Sequence, residues 1–352
     1  MTERGGWSAL PALMRHLPAR PAVARRGAEL LDGRAFVARA GAFRAALSAA
    51  PGTHWVLYCE DTFEFAAALF GAWHAGKRVV VPGDAQPDTL ARLRLVADGL
   101  LGDLAGALAA PASEDVFDDW PALDPVSTAL VVHTSGTDGE PLAIPKSLAQ
   151  LDAEVHALER RFGALCDTGL APVNQDCDAA GDPALYGEPA GAGEDVHVWA
   201  TVSHQHIYGL LFRVLWPLAA GRTFESRRLE WPEQIAQSLA GAAVLVSSPA
   251  HLSRLPGSLD WSAARAALRA VFSSGGPLHA DAAANVGALL GTATVEVYGS
   301  SETGGIAWRQ QARHGETWQP LPGVSFRIDD GVLEVQSAHL PDARWWRTAD
   351  LA

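Results

Sequence analysis

The sequence is poor in cysteine and almost without lysine. Three cysteines, Cys59, Cys166 and Cys177, stand at no metal-ligand spacing and are too few for a disulfide framework. A reducing compartment is the simplest reading, and a cytoplasmic location is expected. Basic residues are outnumbered by acidic ones, 27 to 40, for a formal net charge of −13. That balance argues against a nucleic-acid partner, which needs a basic face. A small anionic substrate must then be held by local donors, because the overall field repels it. No uninterrupted apolar run reaches membrane-spanning length, so no membrane insertion is expected. Residues 1–26 are broken by Arg4, Arg15, Arg20, Arg25 and Arg26, and no apolar core precedes a small-residue cleavage site, so they do not read as a secretory signal. Lysine occurs only at Lys77 and Lys146 among the 27 basic residues, so each lysine invites a functional question.

What the chain has in plenty is apolar surface. Of its 352 residues 48% are apolar and 19% charged, enough to bury a large core as one compact unit or two domains. Residues 35–50 repeat apolar positions at helical spacing, and the β-prone run 54–59 follows. Thr62 stands where it can cap a long apolar helix ending at Gly76, and Arg78–Val81 reads as the next strand. A continuously apolar second strand in such a β-α-β unit marks a parallel sheet covered on both faces. Further strands are expected at Thr128–His133, Val196–Val202, Ala243–Ser247, Ala270–Ser273 and Thr294–Tyr298, so the fold class is α/β. Residues 167–195 carry seven acidic residues among Gly, Ala and Pro and read as a mobile acidic surface loop. After Pro322, Val324–Ile328 and Val332–Val335 suggest a small β appendage. The expected organisation of 1–352 is subregions 1–133 and 134–322 with a β-rich end, 323–352.

Four glycine- and hydroxyl-rich turns carry the chemistry. Thr134-Ser135-Gly136-Thr137-Asp138-Gly139-Glu140-Pro141 follows a strand, and its small hydroxyl residues let backbone N–H groups converge on phosphate oxygens. It is not a Walker A loop, because the Gly-Lys-Ser/Thr ending is missing. Lys146 is near enough to set an ammonium beside the same phosphates; the plain alternative is a solvated lysine at the turn into a helix starting near Ser147. Tyr298-Gly299-Ser300-Ser301-Glu302-Thr303 offers a ring for a base, hydroxyls for phosphate and a carboxylate for Mg²⁺. Ser273-Ser274-Gly275-Gly276-Pro277 is the third turn. Arg347-Thr348-Ala349-Asp350 is the fourth, with an aspartate suited to vicinal ribose hydroxyls. Any one of these could be structural punctuation; four in this order argue for a shared site. His204-x-His206 on a strand would present both imidazoles on one face and invites a zinc reading, but no third ligand is near and a core histidine is the plainer alternative. No G-x-S-x-G surrounds Ser135, Ser274 or Ser301, which disfavours a serine hydrolase.

In order and spacing these residues resemble the signature series of the adenylate-forming superfamily: acyl-CoA synthetases, aryl-acid ligases, nonribosomal adenylation domains and firefly luciferase. Thr134–Pro141 matches the family loop T-S-G-[ST]-T-G-x-P-K up to its lysine, which is Leu142 here, and Asp138 replaces a threonine. Tyr298, Gly299, Ser301 and Glu302 match Y-G-x-[ST]-E, and Thr348-Ala349-Asp350-Leu351 is similar to T-G-D-L. Ser203–Leu210 resembles the family's His/aromatic-Gly segment at the acyl pocket.

The resemblance implies the layered αβαβα large domain of that superfamily and an AMP-forming acid–thiol ligase. Such an enzyme activates a carboxylic acid with ATP as acyl-adenylate, releases pyrophosphate, and passes the acyl group to a thiol. By that likeness ATP lies on Thr134, Ser135, Gly136, Thr137, Asp138 and Gly139, with Lys146 as surrogate for the missing loop lysine. It also lies on Gly275, Gly276, Pro277, Glu296, Val297, Tyr298, Gly299, Ser300, Ser301 and Asp350. Glu302 and Thr137 are the implied Mg²⁺ ligands and, with His206, the implied catalytic set. The acid is expected against His206, Tyr208, Gly209, Ser247, Ser274, Gly275, Gly299 and Ser300. The run Ser203–Phe212 is similar to a bacterial subgroup of aryl polyene (xanthomonadin-type) pigment pathways, in which an aryl acid is loaded onto an acyl carrier protein. A hydroxybenzoate is thus the expected substrate, with an acyl carrier protein or CoA as thiol acceptor. A medium-chain or hydroxy fatty acid is the alternative substrate, and a nucleotide- or acyl-adenylate-binding domain without turnover the alternative function. The family's mobile C-terminal domain and its catalytic lysine would follow the T-G-D segment, so these residues are expected to be the large N-terminal domain alone.

Overall fold

The structure is a computed structural model that describes residues 6–111, 119–135, 141–169 and 195–351. The first strands are β1 (Ala24–Arg26), β2 (Glu29–Leu31), β3 (His54–Tyr58), β4 (Arg78–Val81), β5 (Gly99–Gly102), β6 (Ala129–Ser135) and β7 (Pro141–Ser147). Then come β8 (His197–Ala200), β9 (Thr223–Glu225), β10 (Ala243–Ser247), β11 (Leu268–Ser273) and β12 (Thr294–Ser300). The last are β13 (Gly304–Arg309), β14 (Gln319–Pro320), β15 (Ser325–Asp329), β16 (Val332–Gln336) and β17 (Trp346–Leu351).

Among the described residues these strands form three sheets. One runs β5-β3-β4-β6-β7 and is parallel except for the β6–β7 hairpin. The largest runs β14-β13-β12-β11-β10-β8-β9-β1-β2, parallel from β12 to β1 and closed at both edges by antiparallel pairs. Strands β15-β16-β17 make a small antiparallel sheet where the pattern after Pro322 puts one. The architecture is mixed α/β with large parallel sheets, as the sequence predicts. Strand β10 shows why: Ala-Val-Leu-Val-Ser is buried at every position, so both faces of the sheet are covered.

Helix starts follow the local chemistry, with one correction. Helix α1 (Gly33–Ala49) begins at Asp32, whose side chain accepts from Ala35 N. Helix α2 (Thr62–His74) is capped by Asp61, not Thr62: the Asp61 carboxylate accepts from the N–H groups of Phe63 and Glu64. A full negative charge suits a helix N-terminus better than a hydroxyl. Thr62 is instead the first helical residue, fully buried, with Oγ1 3.2 Å from His204 Nδ1. Helix α3 (Leu148–Thr168) opens with a Ser147/Gln150 capping box and gives way at Gly169, whose φ is +72°.

Helix α3 packs on the large sheet through Phe162, edge-on to Phe272 of β11 at 5.2 Å and to Trp308 of β13 at 5.6 Å. Burying one such ring is worth about 2–3 kcal/mol. Behind it the buried Arg222 bridges Glu159 at 2.7 Å and Asp167 at 2.9 Å. Asp167 therefore belongs to α3, where it is exposed but paired with Arg222, and not to the expected acidic loop, of which 170–194 lie outside the described residues. No helix among the described residues is long and apolar enough to cross a membrane.

Candidate active site

The residues singled out by the sequence gather at the carboxyl ends of parallel strands. Strand β6 ends in Thr134-Ser135, β10 in Ser247, β11 in Ser273, and β12 in Tyr298-Gly299-Ser300. Ligands of open α/β sheets bind outside these ends. The β6–β7 register pairs Thr134 with Leu142 and Ser135 with Pro141. Gly136, Thr137, Asp138 and Gly139, between those paired positions, lie outside the described residues.

Glu302 is carried on the turn of the β12–β13 hairpin, half-buried. The hairpin is narrow: a Cβ on Gly299 would come 2.1 Å from the Gly304 carbonyl oxygen, so only glycine fits. Ser300 and Thr303 bond across the turn, Ser300 N donating to Thr303 Oγ1 at 3.1 Å and Thr303 N to Ser300 Oγ at 3.2 Å. Glu296 and Val297, expected at the nucleotide, have their side chains engaged within the sheet. The Glu296 carboxylate accepts from Arg309 Nε at 3.0 Å and Gln311 Nε2 at 2.7 Å, and Val297 sits in the core. Their side chains serve the sheet, leaving only main-chain atoms for a ligand.

Lys146 departs from the plainer of its two readings. It is 2% exposed, so it is not a solvated lysine. Its ammonium donates to the Glu302 carbonyl at 2.8 Å and the His339 carbonyl at 3.3 Å. A buried ammonium must find acceptors, and these carbonyls are the ones within reach. Burial lowers its pKa, against the charges of Glu154 and Glu302. Gln150, Glu154 and His339 are site neighbours that the sequence reading missed. The signal was there: Gln150 and Glu154 stand four apart inside the apolar stripe of Leu151, Val155, Leu158 and Phe162.

Tyr298 and Asp350, far apart in sequence, meet. Burial, followed by the Asp350 carboxylate beside it, pushes the Tyr298 phenol pKa well up. The ring packs on Trp318 at 5.4 Å, tilted. Gly275 (φ +86°), Gly276 and Pro277 are exposed, and a Cβ on either glycine would meet nothing within 4 Å. Ser301 is half-buried and Asp350 exposed.

On the acyl side the two large sheets come together at His206. A Cβ on Gly83 would lie 3.3 Å from His206 Cε1 and 3.4 Å from the His133 carbonyl. Desolvation lowers the His206 pKa, with Asp84 opposing. His204 and His206 do not share a strand. His204 is buried, with Nδ1 on Thr62 Oγ1 and Nε2 2.8 Å from the Cys59 carbonyl, so the core reading holds and zinc does not. No three His, Cys, Asp or Glu side chains gather for a metal among the described residues. Gly209 is obligatory, because a Cβ would come 1.9 Å from the Ser203 carbonyl oxygen. The Tyr208 ring lies 4.8 Å from Phe212, at the start of a π-helical turn, Leu210–Leu215. The Tyr208 hydroxyl is enclosed, and burial pushes its pKa far up. Ser247 Oγ pairs with Thr201 Oγ1 at 2.8 Å, whereas the buried Ser273 Oγ has no partner among the described residues. Ser274 is half-buried beside it.

An open parallel sheet with glycine- and hydroxyl-rich turns at its strand ends defines an α/β ligand-crevice protein. A family model described as "AMP-binding enzyme" matches residues 84–339, and the chain belongs to that family, part of the adenylate-forming superfamily. A curated relative, the 4-coumarate–CoA ligase of Rhodobacter capsulatus, is 30% identical over 209 residues. That match takes in 58% of this chain and only 45% of the relative. Among solved structures, ATP-bound MatB from Rhodopseudomonas palustris aligns with a TM-score of 0.68 at 20% identity, covering 95% of this chain and 71% of that one. E. coli MenE with a bound analogue of OSB-AMS aligns at 0.70 and 19%, covering 99% and 72%. At such identities these two establish the fold.

Proposed function

We propose that this chain activates a carboxylic acid with ATP, forming an acyl-adenylate and releasing pyrophosphate, as the adenylation part of an AMP-forming acid–thiol ligase. The observation that carries the reading is Asp350 set beside the Tyr298 phenol on β12, with the open Gly275-Gly276 backbone following the neighbouring strand β11. It supports an adenine on the Tyr298 ring, a ribose on Asp350, and phosphates on Thr134, Ser135, Gly136, Thr137, Asp138 and Gly139, with Ser300 and Ser301 nearby. The donors suit Mg²⁺: one carboxylate, Glu302, and the Thr137 hydroxyl, with other positions left to phosphate oxygens and water. When bound, Mg²⁺ neutralises charge on the departing pyrophosphate. The residues of the chain do positional work. They hold the acid's carboxylate in line with the α-phosphorus, two anions that water keeps apart. His206, kept neutral by desolvation, stands at the mouth of the acyl side and does not add charge there.

An aryl acid, a hydroxybenzoate first, is the substrate we favour, with an acyl carrier protein or CoA as acceptor. The Tyr208 ring and the Thr201, Ser247 and Ser273 hydroxyls support an aromatic guest with a polar substituent. The curated relative's name pairs 4-coumarate with CoA. The test is a thermal-shift and pyrophosphate-exchange panel of benzoates and medium-chain fatty acids with Mg·ATP. Stabilisation by AMP and exchange with a hydroxybenzoate are expected. Preference for fatty acids over every benzoate overturns the aryl assignment, and no response to Mg·ATP or AMP overturns adenylation itself.

A further inference from the structure

Three side chains in register, Lys146 on β7 with Gln150 and Glu154 on α3, reach across to the turn that carries Glu302. Lys146 Nζ takes the Glu302 carbonyl at 2.8 Å, and Glu154 Oε1 accepts from Gly305 N at 2.5 Å. Gln150 Nε2 donates to the His339 carbonyl at 2.9 Å, which Lys146 shares, and His339 Nδ1 lies 3.1 Å from the Gly305 carbonyl. The turn is thus pinned at Glu302 and Gly305 from the same side. Lys146 and Glu154 are each only 2% exposed, so these bonds are formed away from water, where a missing partner is costly. Lys146 thus links β7 to the Glu302 turn.

We propose that Lys146 is a positioning residue: its ammonium fixes the Glu302 backbone, and through it aims the Glu302 carboxylate at the metal–phosphate position. The inference rests on the adenylation reading for what Glu302 does, and on hydrogen bonds alone for what Lys146 holds. Lysine suits the task because a compact ammonium can serve two carbonyls and leave the carboxylate free.

Lys146→Met removes the charge and keeps the apolar stem; Lys146→Arg keeps the charge. Calorimetry is run with Mg·ATP and with metal-free AMP, and amide hydrogen exchange is read over residues 302–305 in the free protein. Lys146→Met should weaken Mg·ATP by about tenfold or more while changing AMP less than about twofold, since misplacement by an ångström is that costly at such sites. Its 302–305 amides should exchange faster, and Lys146→Arg should restore most of both effects. In a Glu302→Gln background the methionine change should add no further loss of Mg·ATP affinity. Lys146→Gln gives the same comparison if the methionine variant does not fold. Equal losses for AMP and Mg·ATP, unchanged Mg·ATP affinity, or additivity with Glu302→Gln each overturn the proposal. If the wild-type chain binds neither nucleotide, the adenylation reading fails on its own. The exchange data then decide the clamp: unchanged protection rejects it and faster exchange supports it.

Discussion

The Asp350 carboxylate of β17 stands beside the Tyr298 phenol at the end of β12 and, after burial, raises its pKa. The neighbouring carboxylate favours the protonated phenol, so its contribution is whole below the ordinary tyrosine pKa and is lost as pH rises through the folded value. Asp350→Asn removes the carboxylate's share of that shift. An alkaline absorbance titration should then show one phenol ionising at lower pH than in the wild type, and the same variant should bind AMP more weakly. Superimposable titrations would remove Asp350 as the partner.

Glu302→Gln keeps the shape of the turn and loses one charge. Because Gly299 and the Ser300–Thr303 bonds shape the hairpin, the melting temperature should stay within a few degrees. Mg·ATP-dependent pyrophosphate exchange should drop by roughly 10²–10³, the usual cost of one transition-state charge contact. Undiminished exchange would sink the metal role.

Acid should loosen the fold well before the carboxylates titrate. Burial holds His74 and His197 at about 4 and His204 well below its usual value. A depressed histidine contributes stability above its unfolded pKa near 6.5 and loses it as pH falls toward the folded value. Each such group adds a slope of about 1.4 kcal/mol per pH unit in that window. Urea midpoints should therefore fall steadily from pH 7 to 5. A flat profile over that range would contradict neutral burial.

Much of this was legible because local pattern and burial agree. The apolar runs at Arg78–Val81 and Ala243–Ser247 are strands residue for residue. The failures share one cause: the deciding partner is distant in sequence. Lys146 is defined by Glu302 and His339, and Glu296 by Arg309 and Gln311. His204 is defined by Cys59 and Thr62. Asp61 outbids Thr62 as a cap, although both are adjacent cap-forming residues; Asp61 also binds Arg26, a contact no local window contains.

Ser273 gives a prediction with two opposite signs. Its hydroxyl is buried at the end of β11, in register with Ser247 of β10, and has no hydrogen-bond partner among the described residues. Ser247 by contrast is already paired with Thr201. An orphaned buried hydroxyl is a cost to the free protein, so Ser273→Ala should leave stability unchanged or raise it. If the acid's phenol hydroxyl completes that serine, the same change should lower the preference for hydroxybenzoate over benzoate by about tenfold. A site built to bond a hydroxyl discriminates against the analogue lacking it, and loses that discrimination with the bond. Thermal unfolding of the free variant and exchange rates with the two acids measure both signs. A variant that is less stable than wild type, with its hydroxybenzoate preference intact, would show that Ser273 serves the core and that the acid's substituent is read elsewhere.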